Sequence, residues 1–462
     1  MAIEREDRAA LPSEPAREPG ALDPPPTAGH QRAADLEARH AALARALARD
    51  PCNSQVLYGL GGVLQAQDKP AAAMVCFERA AHLNPNDAAV RANLGLALRT
   101  MGRLRAALAT LEQAVTLAPE APLFQHWLGV VLRDLGRHSE ALACFDHALK
   151  LRPGDAQVEV ERAYTCLAAG DYRAGFKALA ARDEAIAPGA LTPQLPRWTG
   201  ETLDGQTLLV RAEPRREDTI LLSRYLLLIG SNGGRVVLAC DAGMRDLLAG
   251  TRGVDGVGDD AALRPSADLE TPLIALPKVL RTTRHNLPAA VPYLKAPAEA
   301  GFTLTHPDSA KLSVGLLWKP RESPYLAGVA PPDLTCYLPL IQRAEVAVYS
   351  LEHEGSAELS RLGASGLIHD LGQPLTALVD IARVMEQLDL IVTSDTLAAQ
   401  LAGALGRAVW LILPEIADWR WANQEDRTPW YPTMRLFRRK ANEDWPAVFR
   451  RVERKLTALV AA

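Results

Sequence analysis

The 462-residue sequence has little cysteine, almost no net charge and no long apolar run. Its six cysteines are scattered without a C-x-x-C pair, a pattern that predicts reduced, buried thiols rather than a disulfide framework. The net charge of −4 gives no electrostatic reason to expect nucleic acid or an anionic membrane as a partner. No apolar run reaches about 18 residues, so we expect no membrane span. Together these absences predict a soluble, cytoplasmic protein.

Several signatures of catalysis and targeting are also missing. The ten histidines show no H-E-x-x-H and no other metal-ligand spacing, so we expect no bound metal. The absence of G-x-x-x-x-G-K-[ST] argues against a P-loop ATPase, and the absence of G-x-S-x-G argues against an α/β-hydrolase. The charged N-terminus lacks the apolar stretch of a signal peptide.

The first segment, residues 1–33, carries six prolines among charged residues and alanines. Such a composition buries too little apolar surface to offset the entropy lost on ordering. We therefore predict a disordered tail over residues 1–33.

A 34-residue repeat follows this segment. Proline recurs at 51, 85, 119 and 153. Within each period, three other positions hold small residues and one position holds a large apolar residue. The small residues are Ala46, Ala80, Ala114 and Ala148, then Ala73, Ala107 and Ala141, then Gly61, Gly95 and Gly129; the large ones are Leu43, Phe77, Leu111 and Phe145. Small residues where helices cross, an apolar knob and a proline before the next helix are typical of the tetratricopeptide repeat.

The repeat predicts a helical solenoid over residues 34–187, in which a degenerate last unit at 156–187 closes the stack. Stacked helix pairs form a superhelix with a concave face that suits an extended peptide. We therefore expect a polypeptide partner in the groove of the repeats.

From about residue 205 the pattern changes to apolar runs of strand length that alternate with helical stretches. The predicted strands are 207–211, 235–240, 312–318, 345–351, 388–393 and 408–413. Continuous apolar strands that alternate with helices indicate parallel sheets covered on both faces. A proline-rich stretch at 286–310 divides the set, so we predict two doubly wound lobes, 188–300 and 301–462, that face a cleft.

The strand 388–393 is followed by Ser394, Asp395 and Thr396, which begin a predicted helix. The free N–H groups of a helix start form an anion site with a favourable dipole, and a diphosphate fits such a place. The alternative interpretation is an ordinary helix cap on a strand-to-helix turn.

Three stretches of the chain resemble a known family. "SDTLAAQLAGALGRAVWLILPEIADWRW" and "DRTPWYPTMRLFRR" look like the C-terminal half of bacterial tetratricopeptide-repeat glycosyltransferases, and "LLVRAEPRREDTILLSRYLLLIGSNGGRVVLAC" looks like their first lobe. These are GT-B-fold proteins allied to the lipopolysaccharide heptosyltransferases (glycosyltransferase family 9). The resemblance implies that Ser394, Asp395 and Thr396 hold the diphosphate of a nucleotide-sugar substrate, with Gln400 where the family has histidine.

The resemblance also implies a catalytic base in the first lobe. The family has a G-x-G-D-type turn there, whereas this chain has Pro214, Arg215, Arg216, Glu217 and Asp218. Asp218 would then take the proton from an acceptor hydroxyl, a contribution of about 10²–10⁴ in rate. Glu217 and Asp218 are equally suited to the first turn of a helix.

The stretch "VGLLWKPRES" supplies the basic residues that the family places after the first strand of its second lobe. Lys319 and Arg321 match in kind, and a cation there would stabilise the charge that develops on the leaving diphosphate. Either residue could equally be a solvated loop charge.

Two functions follow as hypotheses. The first is a metal-independent glycosyltransferase, without a resident cofactor, that moves a sugar from a nucleotide-sugar donor to a protein presented by the repeats. The second is a catalytically degenerate transferase fold that binds proteins through its repeats, which the missing glycines and Gln400 favour.

Overall fold

The structure is a computed structural model that describes residues 26–186, 195–230, 233–297, 303–305, 307, 310–319, 331–372, 375–421, 426–440 and 443–461. The chain divides into two compact units, one from Met1 to Arg162 and one formed by almost all of the chain from Ala163 to Ala462. We call them the repeat unit and the α/β unit.

The repeat unit consists of helices that alternate with short turns. They are α1 (Pro26–Arg49), α2 (Ser54–Ala66), α3 (Pro70–Leu83), α4 (Ala88–Thr100), α5 (Leu104–Leu117), α6 (Pro122–Asp134), α7 (His138–Leu151) and the first half of α8 (Ala156–Ala168). The pairs α2/α3, α4/α5 and α6/α7 have the lengths and the phase that the 34-residue period predicts.

Each predicted glycine faces a predicted apolar knob where the two helices of a pair cross. A Cβ atom added to Gly61 would lie 2.6 Å from the Phe77 ring. The corresponding distances are 2.6 Å from Gly95 to Leu111 and 2.7 Å from Gly129 to Phe145. The glycines are therefore required by close packing and not by backbone conformation.

The turn inside each pair repeats with the same period. Gly102, Gly136 and Gly170 have φ of 70°, 75° and 82°, and Asp68 adopts φ 56° at the equivalent position. Glycine is favoured there because the left-handed conformation strains other residues.

The last helix pair, α8 and α9 (Tyr172–Ile186), contributes to the α/β unit. Ala163, Leu167, Tyr172 and Phe176 are buried in the same apolar cluster as the strands and tryptophans of that unit. The repeat pattern therefore continues beyond the point at which the compact repeat unit ends.

The α/β unit contains two parallel sheets. Its strands are β1 (Thr207–Arg211), β2 (Arg235–Ala239), β3 (Gly256–Gly258), β4 (Leu269–Pro272), β5 (Leu312–Leu317), β6 (Val346–Ser350), β7 (His369–Asp370), β8 (Leu390–Ser394), β9 (Val409–Leu413) and β10 (Met434–Arg438). The orders β3-β2-β1-β4 and β10-β9-β8-β5-β6-β7 are both doubly wound, with the chain crossing from one side of the sheet to the other. We call the two parts the first and the second lobe.

Helices cover these sheets. They are α10 (Arg216–Ser223), α11 (Leu226–Ile229), α12 (Ala242–Leu248), α13 (Asp260–Leu263), α14 (Leu276–Val279), α15 (Leu334–Tyr337), α16 (Ser356–Arg361), α17 (Leu378–Met385), α18 (Leu397–Ala404) and α19 (Trp445–Ala461). None of the helices in the described part of the chain combines the length and the hydropathy that a membrane span needs.

Two expectations need correction. Residues 26–33 of the predicted disordered tail are helical, because α1 begins at Pro26; residues 1–25 lie outside the described part of the chain. The six cysteines are free thiols, but only Cys166 is buried; Cys52 is exposed and the other four are partly exposed.

Candidate functional site

The turn after β8 places Ser394 and Thr396 at the start of α18. The Thr396 hydroxyl caps this helix by accepting a hydrogen bond from the Ala399 amide at 3.4 Å, and it shares a 3.2 Å hydrogen bond with the Thr393 hydroxyl. The Ser394 side chain is buried, and its Oγ finds no hydrogen-bond partner among the described residues. The Thr396 hydroxyl thus performs the structural role of a helix cap.

Asp395, between these two residues, has an unusual environment. The residue is partly exposed, but its carboxyl group is surrounded by protein. This burial, together with the negative charge of Asp418, raises the pKa of Asp395 to about 7. The Trp421 indole and the charges of Arg420 and Arg215 act in the opposite direction.

Arg420 joins the two lobes electrostatically. Its guanidinium donates from Nη1 to Asp418 Oδ1 at 2.7 Å, and from Nη2 to Asp218 Oδ1. Asp218 lies in the first turn of α10, and its side chain is 18% exposed. The structure therefore brings the predicted base into one charged cluster with the predicted diphosphate turn.

Two further residues complete this cluster. Arg215 Nε lies 4.0 Å from Asp218 Oδ2. Tyr164, from α8, is close enough for burial and the Asp218 charge to raise the pKa of its phenol to about 12. We call Asp218, Asp395, Asp418, Arg215, Arg420 and Tyr164 the charged cluster.

The members of the charged cluster differ in the chemistry that they can perform. Arg420 occupies one oxygen of the Asp218 carboxylate, which leaves the other oxygen for a further partner. Asp395 can exchange a proton near neutral pH because of its raised pKa. Arg215 is the more exposed of the two arginines, with 44% of its side chain accessible, and is therefore the one best placed to contact an anion.

The other predicted site residues lie elsewhere. Gln400 is buried in α18 and accepts a 3.3 Å hydrogen bond from the Tyr431 hydroxyl. Lys319 is exposed, and its ammonium donates to the Glu354 carbonyl at 2.7 Å, on the β6 side of β5 and away from β8. Arg321 lies outside the described residues.

The tryptophans after β9 are buried and pack against the last repeat. Phe176 contacts the rings of Trp419 and Trp430 at centroid distances of 5.9 and 6.1 Å, and Tyr172 contacts Trp430 at 5.1 Å. Since Trp430 is fully buried, this aromatic group acts as a packing element and offers no exposed face to a sugar.

In the repeat unit, polar side chains connect the first helices of successive pairs. Arg99 of α4 donates to Asp134 of α6 at 2.6 Å, and Arg133 of α6 pairs with Glu161 of α8. Arg133 Nη2 also lies 3.2 Å from Asp134 Oδ1. These ion pairs are largely buried and hold the first helices in register.

A different polar pair lies between α2 and α4. Asn93 Nδ2 donates to the Tyr58 hydroxyl oxygen at 3.2 Å and to the Ala89 carbonyl at 2.9 Å. The second bond fixes the orientation of the amide, because a carbonyl can only accept. Among the described residues, the Asn93 amide oxygen accepts no hydrogen bond and the Tyr58 hydroxyl donates none.

The sequence identified part of this arrangement. The sequence alone identifies Asp218 and Asp395, whereas it does not assign Asp418, Arg420 or Tyr164 to a site. An acidic residue two positions before an arginine, in "ADWRW", was the available signal for Asp418.

Comparison with known families assigns the repeats. Two overlapping segments, residues 92–156 and 128–190, match the model of the tetratricopeptide repeat. The N-terminal region therefore contains tetratricopeptide repeats, and the match ends at the start of the α/β region. Comparison with curated proteins gave no match.

Solved structures that match part of the chain include YrrB, PilF and MamA. YrrB, described as a TPR protein with an unusual peptide-binding site, is 23% identical over 35% of this chain and 82% of its own, with a TM-score of 0.30. PilF of Pseudomonas aeruginosa is 23% identical over 36% and 74%, with a TM-score of 0.31. MamA of Desulfovibrio magneticus RS-1 is 17% identical over 36% and 93%, with a TM-score of 0.33.

Proposed function

We propose that the chain is a polypeptide-binding protein that holds an extended segment of its partner against the first helices of its repeats. The observation that carries this proposal is the Tyr58–Asn93 pair, which keeps one acceptor and one donor uncommitted on neighbouring first helices. Both side chains are half-buried, so a ligand can still reach the two uncommitted groups.

A peptide group matches this pair. Its N–H can donate to the Asn93 amide oxygen, and its carbonyl can accept from the Tyr58 hydroxyl. Because the contact is with backbone atoms, it favours an extended partner over a particular sequence. The first helix of the first pair, α2, carries no charged residue, so the α2 side of this surface offers a partner only polar and apolar contacts.

The test is selection of peptides from an unbiased displayed library against the full-length protein, followed by calorimetry. Asn93→Ala and Tyr58→Phe should each weaken the selected peptides about 5- to 30-fold, the scale of one lost hydrogen bond in a buried contact. Arg105→Ala, an exposed change on a second helix, serves as the matched control and should bind as the parent does. Equal affinities in all four proteins would overturn the assignment.

A second candidate function, glycosyl transfer from a nucleotide sugar, is favoured by one observation. Asp218, at the start of α10, and Asp395, after β8, belong to one cluster at the carboxyl ends of strands from both lobes. In open parallel sheets, ligands bind beyond these strand ends. The two doubly wound sheets are consistent with the GT-B architecture that the resemblance implies.

In this candidate, Asp218 removes a proton from the acceptor, and the turn at Ser394, Asp395 and Thr396 holds the diphosphate. Arg215, the more exposed arginine of the charged cluster, would carry the leaving charge, with neither metal nor cofactor. The test is calorimetry with a panel of nucleoside diphosphates, followed by transfer assays. Asp218→Asn should keep nucleotide affinity and reduce transfer at least about 100-fold. If no nucleotide binds, the α/β unit serves as a protein scaffold instead.

A further inference from the structure

We propose that Arg224 pins the two lobes of the α/β unit together and thereby fixes the helix that carries the Asp395 turn. Arg224 follows α10 in the first lobe, and its side chain reaches residues of the second lobe. We call Arg224, Tyr293, Trp430, Tyr431 and Gln400 the interlobe clamp. This proposal requires neither peptide binding nor glycosyl transfer.

The Arg224 guanidinium is buried and almost fully hydrogen-bonded. Nε donates to the Leu221 carbonyl at 2.8 Å, which anchors the side chain to its own helix. Nη1 donates to the Trp430 carbonyl at 2.7 Å and to the Pro288 carbonyl at 3.3 Å. Nη2 donates to the Tyr293 hydroxyl at 3.1 Å. One planar group therefore bonds at once to the first lobe, to the second lobe and to the segment between them (residues 281–297, the connecting segment).

Three aromatic rings surround the same cation. The guanidinium carbon lies 4.7 Å from the centre of Tyr293, 4.8 Å from Tyr431 and 5.2 Å from Trp430. Among the described residues, no carboxylate lies within ion-pair distance of Arg224. Carbonyls and aromatic faces therefore compensate the buried charge, and the contacts with Trp430 and Tyr431 would be lost together if the lobes separated.

A chain of hydrogen bonds leads from Arg224 to α18. The Tyr293 and Tyr431 hydroxyl oxygens are 3.3 Å apart, and Tyr431 donates to Gln400 Oε1 at 3.3 Å. Each hydroxyl can accept from the previous group and donate to the next one, so the chain is complete from cation to amide. Gln400 lies at the centre of α18, one turn beyond the cap at Thr396.

Contacts of the connecting segment reinforce the clamp. The Tyr293 and Leu294 amides donate to the Ala404 carbonyl at the end of α18, at 3.1 and 3.3 Å. The Asp218–Arg420 ion pair provides a second connection between α10 and the region after β9. Both ends of α10 are therefore tied to the second lobe, and separation of the lobes must break both ties.

The test is hydrogen–deuterium exchange of the full-length protein. Arg224→Met should accelerate amide exchange at least about tenfold in α18 and in residues 289–296, where the lost bonds were anchored. Helices α2 to α5 of the repeat unit should exchange as in the parent. Arg224→Lys should behave like Arg224→Met, since a point charge cannot reproduce the planar fork.

Arg252→Met, which removes an exposed arginine of the same lobe, is the matched control and should change nothing. Tyr431→Phe interrupts the chain of hydrogen bonds without removing the Arg224 cation, so it should accelerate amide exchange in α18 by a smaller factor than Arg224→Met does. If Arg224→Met does not fold, Tyr431→Phe provides the test. Unchanged exchange in α18 in either variant would overturn the proposal. Uniform acceleration throughout the chain would overturn it as well, because it would show a general loss of stability.

Discussion

The carboxyl group of Asp395 is placed where ionisation is unfavourable. Burial and the Asp418 charge raise its pKa to about 7, above the value of an exposed aspartate. The folded protein therefore binds this proton more tightly than the unfolded chain does, and the contribution of Asp395 to stability must fall as pH rises from about 4 to 7.

Asp395→Asn should remove this dependence. We expect the variant and the parent to have similar unfolding free energies near pH 4. The variant should become progressively more stable than the parent toward pH 7, by at most about 4 kcal/mol, less where water screens the partly exposed residue. Chemical denaturation at a series of pH values measures this gap. The exposed Asp246→Asn serves as control, and a gap that shrinks with rising pH would contradict the assignment.

The Thr396 hydroxyl should matter for stability whatever α18 binds. Thr396→Val removes the acceptor of the Ala399 amide and should lower the unfolding free energy by about 1 kcal/mol. Thr396→Ser keeps the cap and should cost much less. Urea denaturation distinguishes the two, and equal losses would show that the methyl group and not the hydroxyl is required. Any additional effect of Thr396→Val on nucleotide affinity belongs to the second candidate function.

At this scale the sequence predicted the acids and missed their partners. Asp395 could be named because it follows a strand at a helix start, which is a local pattern, and Asp218 because the stretch around it resembles the first lobe of the transferase family. Their association through Arg420 depends on a contact between residues 202 positions apart, which no local pattern encodes. The same holds for Gln400, whose partner Tyr431 is 31 positions away.

Among the elements, α2 offers a matched pair of glycines. A Cβ at Gly61 would lie 2.6 Å from the Phe77 ring, whereas one at Gly59 would lie 3.4 Å from Leu43. Gly61→Ala should therefore lower the unfolding free energy by about 1–3 kcal/mol through overpacking. Gly59→Ala should raise it by up to about 1 kcal/mol, because alanine is the better helix former. Denaturation monitored by circular dichroism compares the two, and the same sign for both would contradict the packing argument.

The elements that the sequence predicted are those with long apolar runs. The six predicted strands correspond to β1, β2, β5, β6, β8 and β9 within about two residues at each end. The missed strands were β3, β4, β7 and β10. β3 has only three residues, two of them glycine, and β7 has only two residues, both exposed. Neither contains the apolar run that distinguishes a strand from a loop in the sequence.

For the whole molecule, the boundary between the units is open to direct measurement. The aromatic side chains of α9 pack on Trp419 and Trp430, which a fragment of residues 34–187 lacks. We expect fragments 34–168 and 34–187 to unfold with free energies within about 1 kcal/mol, since α9 adds little buried surface without its partners. The longer fragment should bind an apolar dye more strongly. A longer fragment more stable by several kcal/mol would place the boundary at 187, as the repeat period suggests.

Helix α8 runs without interruption through the boundary between Arg162 and Ala163. Glu161, which pairs with Arg133, and Tyr164, which faces the charged cluster, are three residues apart on this one helix. One residue inserted between them would turn Tyr164 by about 100° around the axis of α8 relative to Glu161 and shift it by about 1.5 Å along that axis. The Glu161–Arg133 ion pair and the position of Tyr164 beside Asp218 therefore both depend on an unbroken helical register over residues 161–164.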